Sequence, residues 1–190
     1  MTADLTSPLA AWTDRLAALP VKASERPFLS QLTVRVSDPT ALGVALGVQF
    51  PSVPCTFTAG SGEFGDIEVL WLGPDEFLVV AEPGRQVQIE EVLRGALGSA
   101  RGSVVDTSAQ RTTVVLEGPH VRDVLAHGCS VDLHPSAAPV GTCVQTLLAR
   151  TGIILQVTST SSVTLRVRSS FAEYLAAWLS DACAEYRVVS

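Results

Sequence analysis

An order of elements that occurs twice restricts the fold more than any single residue does. "QLTVRV" alternates Leu32, Val34 and Val36 at the period of a half-buried strand, and "SDPTALGVALG" follows, with Asp38 as a helix N-cap and Pro39 at the first helical position. Further on, "RTTVVLEG" reads as a strand and "GPHVRDVLAHG" as a short helix with Pro119 at its first position. Pro39 and Pro119, Val44 and Val124, and Ala45 and Leu125 are all eighty residues apart. Each short helix leads into three apolar strands and a closing amphipathic helix. In the first copy the strands fall at about 54–58 ("PCTFT"), 66–72 ("DIEVLWL") and 76–81 ("EFLVVA"). Its helix, "QVQIEEVLRGAL", puts Ile89, Val92, Leu93, Ala96 and Leu97 on one face. In the second copy the strands are "CVQTLLA", "GIILQVTS" and "SVTLRV", with a tight turn expected at Thr151-Gly152. The helix "SSFAEYLAAWLSDACAEY" offers Ser170 and Glu173 as a capping box and gathers Phe171, Tyr174, Leu175, Trp178 and Ala182 on one face.

Runs of consecutive strands pair antiparallel, whereas a doubly wound sheet needs strand and helix to alternate. The expected fold is therefore α+β: two similar strand-helix-strand units packed together, mostly antiparallel sheets, with the helices on one sheet face. The halves are expected at about 28–100 and 101–190. Before them, residues 1–27 supply an N-terminal helix and a linker. In "SPLAAWTDRLAAL", Leu9, Trp12, Leu16 and Leu19 share a helical face, with Ser7 as N-cap and Pro8 at the first position, and "PVKASERPF" is the linker. That apolar stripe has two uses, docking on a partner or on its own domain.

Composition narrows the function classes. The net charge is −6, and Lys22 is the single lysine among thirteen basic residues. Nucleic-acid binding is driven by clustered Lys and Arg, so DNA and RNA are excluded as partners. Only 17% of residues are charged and 47% are hydrophobic, against roughly 25% charged in an average soluble domain. Such a chain either has a large core or covers part of its surface with another protein, and a subunit is the favoured reading. No stretch reaches the ~18 apolar residues of a membrane helix, and "MTADLTSPLAAW" lacks the basic start of a secretion signal, so the chain is expected in the cytoplasm. There its cysteines, Cys55, Cys129, Cys143 and Cys183, are expected as thiols, with Cys55 and Cys183 in the core.

Several motifs promise chemistry until their context is read. "GSGEFG", Gly60 to Gly65, is a formal G-x-G-x-x-G, but it leads into a strand instead of a helix and is expected as a flexible loop. "GCSVDLHP", 128–135, gathers Cys129, Asp132 and His134, with His120 and His127 upstream and Cys143 downstream. Zinc would use such ligands, yet the spacing is C-x4-H, with no C-x2-C pair, and His120 and His127 stand about two helical turns apart. A Cys129 nucleophile with His134 or His127 as base and Asp132 as orienter would need a thiolate-stabilising site that no surrounding signature supplies. Gly128 ending a helix and Pro135 stiffening the exit explain the run as a loop. Asp75 and Glu76 in "GPDEF" are solvated turn carboxylates, and Asp106, Ser108 and Arg111 interrupt two apolar strands where a hairpin is expected.

Three segments together, "VLWLGPDEFLVV" (69–80), "VVDTSAQRTTVVLEGPHVRDVLAHGCSVDLHP" (104–135) and "GTCVQTLLARTGIILQV" (141–157), resemble the gamma subunit of bacterial heterotetrameric sarcosine oxidase. The resemblance spans about residues 28–185. It implies a fold like the folate-binding region of the glycine-cleavage aminomethyltransferase. It also implies a complex with alpha, beta and delta subunits that oxidatively demethylates sarcosine to glycine, forming hydrogen peroxide and formaldehyde or methylene-tetrahydrofolate. FAD, FMN, NAD, tetrahydrofolate and zinc would then sit on the other subunits, leaving this chain as an accessory with no catalytic, cofactor-binding or metal residue. Where that family often has a histidine after "DVS", this chain has Ala109. The competing readings are a stand-alone folate-binding or one-carbon transfer protein of the same fold, and a zinc protein built on Cys129, His134 and Cys143.

Overall fold

A computed structural model describes residues 5–186; the first four residues of the expected segment 1–27 and the last four of 28–190 lie outside the described residues. In chain order the elements are α1 (Thr13–Ala17), β1 (Lys22–Arg26), β2 (Ser30–Val36), α2 (Thr40–Leu46), β3 (Phe57–Gly62), β4 (Gly65–Gly73), β5 (Glu76–Ala81), α3 (Gln86–Leu97), β6 (Gly102–Asp106), β7 (Arg111–Glu117), α4 (Val121–Ala126), β8 (Cys143–Leu148), β9 (Thr151–Ser159), β10 (Ser162–Arg168) and α5 (Ala172–Ala182). The chain divides into two compact units. One holds Phe28–Gln110 and Gly141–Gln145; the other holds the chain up to Pro27, Arg111–Val140 and the chain from Thr146 onward.

Each unit is built on one five-stranded sheet, ordered β3-β4-β5-β2-β6 in the first and β8-β9-β10-β7-β1 in the second. The two orders correspond position by position. The pairings β3–β4, β4–β5, β5–β2 and β2–β6 are antiparallel, as are β9–β10, β10–β7 and β7–β1. The α+β, antiparallel architecture expected from the repeat is therefore the one observed.

The outer strands are routed in a way the sequence does not announce. β6 directly precedes β7 along the chain yet pairs with β2, while β1 directly precedes β2 yet pairs with β7. Two expectations are corrected by this. The segment read as a linker contains a strand, with Lys22 opposite Glu117 and Arg26 opposite Thr113. The run around Asp106 and Ser108 is not a hairpin, because β6 and β7 enter different sheets through a 3-10 turn at Ser108–Gln110. "KASER" buries Ala23 and half-buries Glu25, so its alternation carries almost no apolar signal. Its strand form comes from the backbone partner that β7 provides.

In the first unit, Leu32, Val34 and Val36 of β2 share a face with Ile67 and Val69 of β4, Phe77, Val79 and Ala81 of β5, and Val104 of β6. Leu42 and Leu46 of α2 and Ile89 and Leu93 of α3 cover that face. Each such fully buried side chain is worth about 1.5–3 kcal/mol relative to exposure. α2 begins one residue later than expected: the Asp38 carboxylate accepts the Thr40 hydroxyl at 2.6 Å and the Thr40 N–H at 3.0 Å. Those two bonds hold its carboxyl below the usual carboxylate range. "GSGEFG" is a tight β3–β4 hairpin in which Gly62 faces Gly65, so the expected loop is a turn of two residues, Glu63 and Phe64.

In the second unit the N-terminal stripe packs inward: Leu9, Leu16 and Leu19 are buried and α1 lies on β1 and α5. The helix is shorter than expected, a 3-10 turn at Ala10–Trp12 followed by α1. Ser7 does not cap it, because its hydroxyl donates to Glu25 Oε2 at 2.6 Å, joined there by the Leu9 N–H at 3.2 Å. α5 is also rotated from expectation. Ala172, Leu175, Ala176 and Leu179 are its buried residues, while Phe171 and Tyr174 are exposed and the Ser170–Glu173 box does not form. The 3-10 turn at Ser169–Phe171 winds tighter than an α-helix and shifts the phase, letting the small Ala172 and Ala176 face inward. The β8–β9 turn is at Ala149-Arg150, with Ala149 at φ +52°, two residues before the expected position.

Gly102, opposite Val36, tests the β2–β6 pairing. A Cβ there would stand 2.5 Å from the Arg35 carbonyl oxygen and 2.9 Å from Leu97 Cδ1. Gly102→Ala is expected to lower stability by about 1–3 kcal/mol, read as a lower urea midpoint with unchanged slope. A midpoint equal to the parent's would refute the tight approach.

Candidate functional site

"GCSVDLHP" is where the sequence concentrates reactive side chains, and the structure assigns each of them a structural task. After α4, residues 128–130 lie along β8, the outer strand of its sheet, with Cys129 bridged to Leu148. The Ala149 N–H donates to the Gly128 carbonyl at 2.8 Å, and the Ser130 N–H donates to the Leu147 carbonyl at 3.1 Å. These three residues thus cover the end of a strand edge that would otherwise present bare backbone groups. A Cβ on Gly128 would stand 2.7 Å from Trp178 Cζ2 and 3.2 Å from the Ala149 nitrogen, so glycine is what allows the α5 indole to lie on this backbone.

The rest of the run is a braced loop. The Asp132 carboxylate accepts the His134 N–H at 2.8 Å, an Asx turn, and His134 Nδ1 is 2.7 Å from the Ser136 hydroxyl. Arg122, the second residue of α4, donates from Nη1 to the Leu133 carbonyl at 2.6 Å and the Ala138 carbonyl at 2.8 Å. Leu133 and Ala138 are buried. Asp132 therefore shapes backbone instead of orienting a base. Burial pushes the Cys129 thiol above its ordinary range, only partly offset by hydrogen bonds from Val131 and Ser130. Near neutral pH it carries less thiolate than a free cysteine, the reverse of what a nucleophile needs.

The other candidates fall in separate places. His120 and His127 both border Tyr186: the His120 ring centre is 5.1 Å from the tyrosine ring, and His127 Nε2 is 3.2 Å from its hydroxyl. Burial, then the charges of Asp123 and Glu185, raise the Tyr186 hydroxyl above its usual value. Cys143 opens β8 fully buried and donates its N–H to the Cys55 carbonyl at 2.8 Å. Cys183 is buried as expected, but Cys55 is exposed. The flanking apolar sequence misleads because Pro54 and Cys55 form a turn, with Cys55 at φ +60°. Among the described residues, no three His, Cys, Asp or Glu side chains are grouped to hold a metal ion, so Cys129, His134 and Cys143 do not form the zinc set.

Asp106 accepts the Ser108 hydroxyl at 2.5 Å and the Ser108 N–H at 2.9 Å, and Ser108 Oγ accepts the Gln31 N–H at 2.9 Å. This fingerprint stretch is thus a brace for β2, with Ala109 inside the 3-10 turn and Arg111 opening β7. Glu76 pairs across the sheet with Arg35 at 2.7 Å, an exposed bond of modest worth, and Asp75 gives its carbonyl to the Val36 N–H. Sequence reading overlooked Arg166, which is fully buried on β10 and donates from Nη1 to Gln156 Oε1 at 2.5 Å. A strand alternating at period 2 predicts an arginine facing water, and no local signal marks the exception. A cleft of about 330 Å³ in the first unit is lined by Phe50, Trp71 and Phe77 with prolines and hydroxyl side chains. It has no charged lining residue, so it lacks an acid or base.

The contacts of these clusters shape turns, strand edges and loops. The sequence pattern of the sarcosine oxidase, gamma subunit family matches residues 36–185. The chain belongs to that family. The sarcosine oxidase subunit gamma of Corynebacterium sp. (strain U-96) is 37% identical over 166 residues, 85% of this chain and 78% of that protein. The subunit gamma of Arthrobacter sp is 38% identical over 166 residues, 85% and 79% of the two chains. Among solved structures, a chain of heterotetrameric sarcosine oxidase from Corynebacterium sp. U-96, in complex with pyrrole 2-carboxylate, superposes with a TM-score of 0.87 at 36% identity over 98% of both chains. Aminomethyltransferase T of the glycine cleavage system from Bartonella henselae gives 0.63 at 16% identity over 92% of this chain and 50% of that one, a likeness of fold alone. The gamma family membership and aminomethyltransferase-like fold implied by the three sequence segments therefore both hold.

Within this gamma-family chain, Gly128→Ala is expected to cost about 1–3 kcal/mol by forcing Trp178 off the backbone, detectable as a lower melting temperature and altered tryptophan fluorescence. Fluorescence and melting that match the parent's would sink the contact. A thiol reagent applied to the folded chain near neutral pH should meet one fast cysteine, Cys55, and lose that phase in Cys55→Ser. Cys129 should react slowly and speed up toward alkaline pH; equal rates for the two near neutrality would contradict its burial.

Proposed function

We propose that this chain is the gamma subunit of a heterotetrameric sarcosine oxidase, an accessory structural component working beside alpha, beta and delta subunits in the cytoplasm. The complex oxidatively demethylates sarcosine to glycine, yielding hydrogen peroxide and formaldehyde or methylene-tetrahydrofolate. FAD, FMN, NAD, tetrahydrofolate and zinc belong to the other subunits, and this chain contributes no catalytic, cofactor-binding or metal residue. The observation that carries the reading is the end-to-end superposition on a chain of a heterotetrameric sarcosine oxidase, at a TM-score of 0.87 and 36% identity. Two features of the chain support an accessory role: a low content of charged residues, and a fingerprint loop whose Asp132 and His134 are engaged in a turn. No helix of the described residues is long and apolar enough to cross a membrane.

The fold likeness to aminomethyltransferase T favours one alternative, a stand-alone folate-binding or one-carbon transfer protein. Two measurements separate them. Co-expressed with the flavoprotein subunits encoded beside it, the chain should copurify in stoichiometric amount with flavin absorbance and sarcosine-dependent peroxide formation. A monomer that ignores those subunits, yet binds tetrahydrofolate saturably when titrated alone, would hand the case to the alternative.

A further inference from the structure

Two cysteines face each other where the stretch Gly141–Gln145 joins the first unit. Thr56 and Thr142 form an antiparallel bridge, and at the next position the Cys143 N–H donates to the Cys55 carbonyl at 2.8 Å. Two residues further, the Gln145 side-chain amide donates to the Leu72 carbonyl at 3.0 Å. The Trp71 N–H donates to the Thr56 carbonyl at 3.0 Å and so ties the residue after Cys55 to β4. Hydrogen bonds thus hold both cysteine backbones side by side. Facing residues of an antiparallel pair have Cα atoms about 4.5–5.5 Å apart. A disulfide bridges Cα separations of about 4.4–6.8 Å, so these two backbones stand within its reach.

The surroundings of the two thiols give them different parts. Cys55 is exposed in a turn at φ +60°, whereas Cys143 is fully buried, and both are reduced here. A dissolved oxidant reaches an exposed sulfur first, and a buried sulfur reacts with what a neighbour brings to it. An exposed side chain also changes rotamer within nanoseconds. Cys55 is therefore the mobile partner and Cys143 the fixed one.

We propose that Cys55 and Cys143 form a peroxide-responsive pair, in which hydrogen peroxide oxidises Cys55 and Cys143 resolves it to an intramolecular disulfide. In the first step the Cys55 sulfur attacks a peroxide oxygen. The S–O bond forms, the O–O bond breaks, and the departing hydroxide leaves as water with the thiol's proton. In the second step the Cys143 sulfur attacks the sulfur of the Cys55 sulfenic acid. The S–S bond forms, the S–O bond breaks, and a second water leaves with the Cys143 proton. Two thiols lose two electrons and one peroxide gains them. The product staples the entry to β3 to the start of β8 within the first unit. It also stops Cys55 short of sulfinic acid, from which ordinary thiols do not recover it. The subunit reading above supplies a source of peroxide beside this chain, and only that source rests on it.

The purified chain, reduced and then freed of reductant, is exposed near neutral pH to a slight excess of hydrogen peroxide. It is then alkylated under denaturing conditions and mapped by mass spectrometry without reduction. The parent should lose two hydrogens, give a peptide pair linked from Cys55 to Cys143, and recover both thiols with a reductant. The yield should not change with protein concentration, as an intramolecular link requires. Cys143→Ala should lose the link and leave Cys55 as a sulfenic acid that dimedone traps, while Cys129→Ser should form the link as the parent does. The parent map decides alone if Cys143→Ala folds poorly. Cys55 carried on to sulfinic acid with Cys143 still open to alkylation would overturn the proposal. So would a link from Cys55 to a different cysteine or to a second chain. Because the peroxide is added, these outcomes are separate from the subunit reading, which fails if the chain does not copurify with the flavoprotein subunits.

Discussion

Pairing of each sheet's outer strand is the constraint on which the remaining packing depends. β1 adds to β7 and β6 adds to β2, so each sheet is completed by chain that leads directly into the other. The helices follow these strands. Glu25 on β1 collects the Ser7 hydroxyl, the Leu9 N–H and the Thr112 hydroxyl, and so fixes the N-terminal turn whose leucines enter the core. On the other outer strand, Arg94 of α3 donates to the Val104 carbonyl of β6 at 2.9 Å while pairing with Glu90. Without its outer strand, each of these helix contacts would lack an acceptor or a floor.

Chemistry in this chain is subordinated to that architecture. Side chains that would serve an enzyme as acid, base or nucleophile are spent on backbone groups: Asp132 on an Asx turn, Asp106 on Ser108, Arg122 on two loop carbonyls. Each satisfies polar backbone that would otherwise be left without a partner in irregular segments. The family fingerprint is therefore a record of how strand edges and loops are closed.

Much of the fold was legible because hydrophobic periodicity survives wherever a strand or helix buries one face. β2, β5, α3 and β10 stand where alternation or a 3.6-residue stripe places them. The misreadings share a cause. "KASER" has too few apolar residues to look like a strand, the exposure of Cys55 depends on a turn inside an apolar run, and the phase of α5 was set by a 3-10 turn that shifts its aromatic stripe outward. Arg166 is the extreme case, a charge in the core with Gln156 as partner ten residues away along the chain. The functional clusters were legible as a fingerprint and illegible as geometry, since spacing alone could not show that Cys129 pairs with Leu148 or that His120 and His127 flank Tyr186.

By itself the sequence determined the class of fold, the doubled order of elements, the lack of a basic surface for nucleic acid, and the family through its three segments. These are properties of local pattern and composition, which a chain carries whether or not it is folded. Only the tertiary structure decided which strand completes which sheet, which face of α5 points outward, and that the reactive-looking loop closes a strand edge beneath an indole. Those outcomes depend on partners far apart in the chain, as Lys22 is from Glu117 and Gly128 from Trp178. Backbone hydrogen bonding and close packing choose such partners by distance and shape in the folded molecule, and no local pattern encodes that choice.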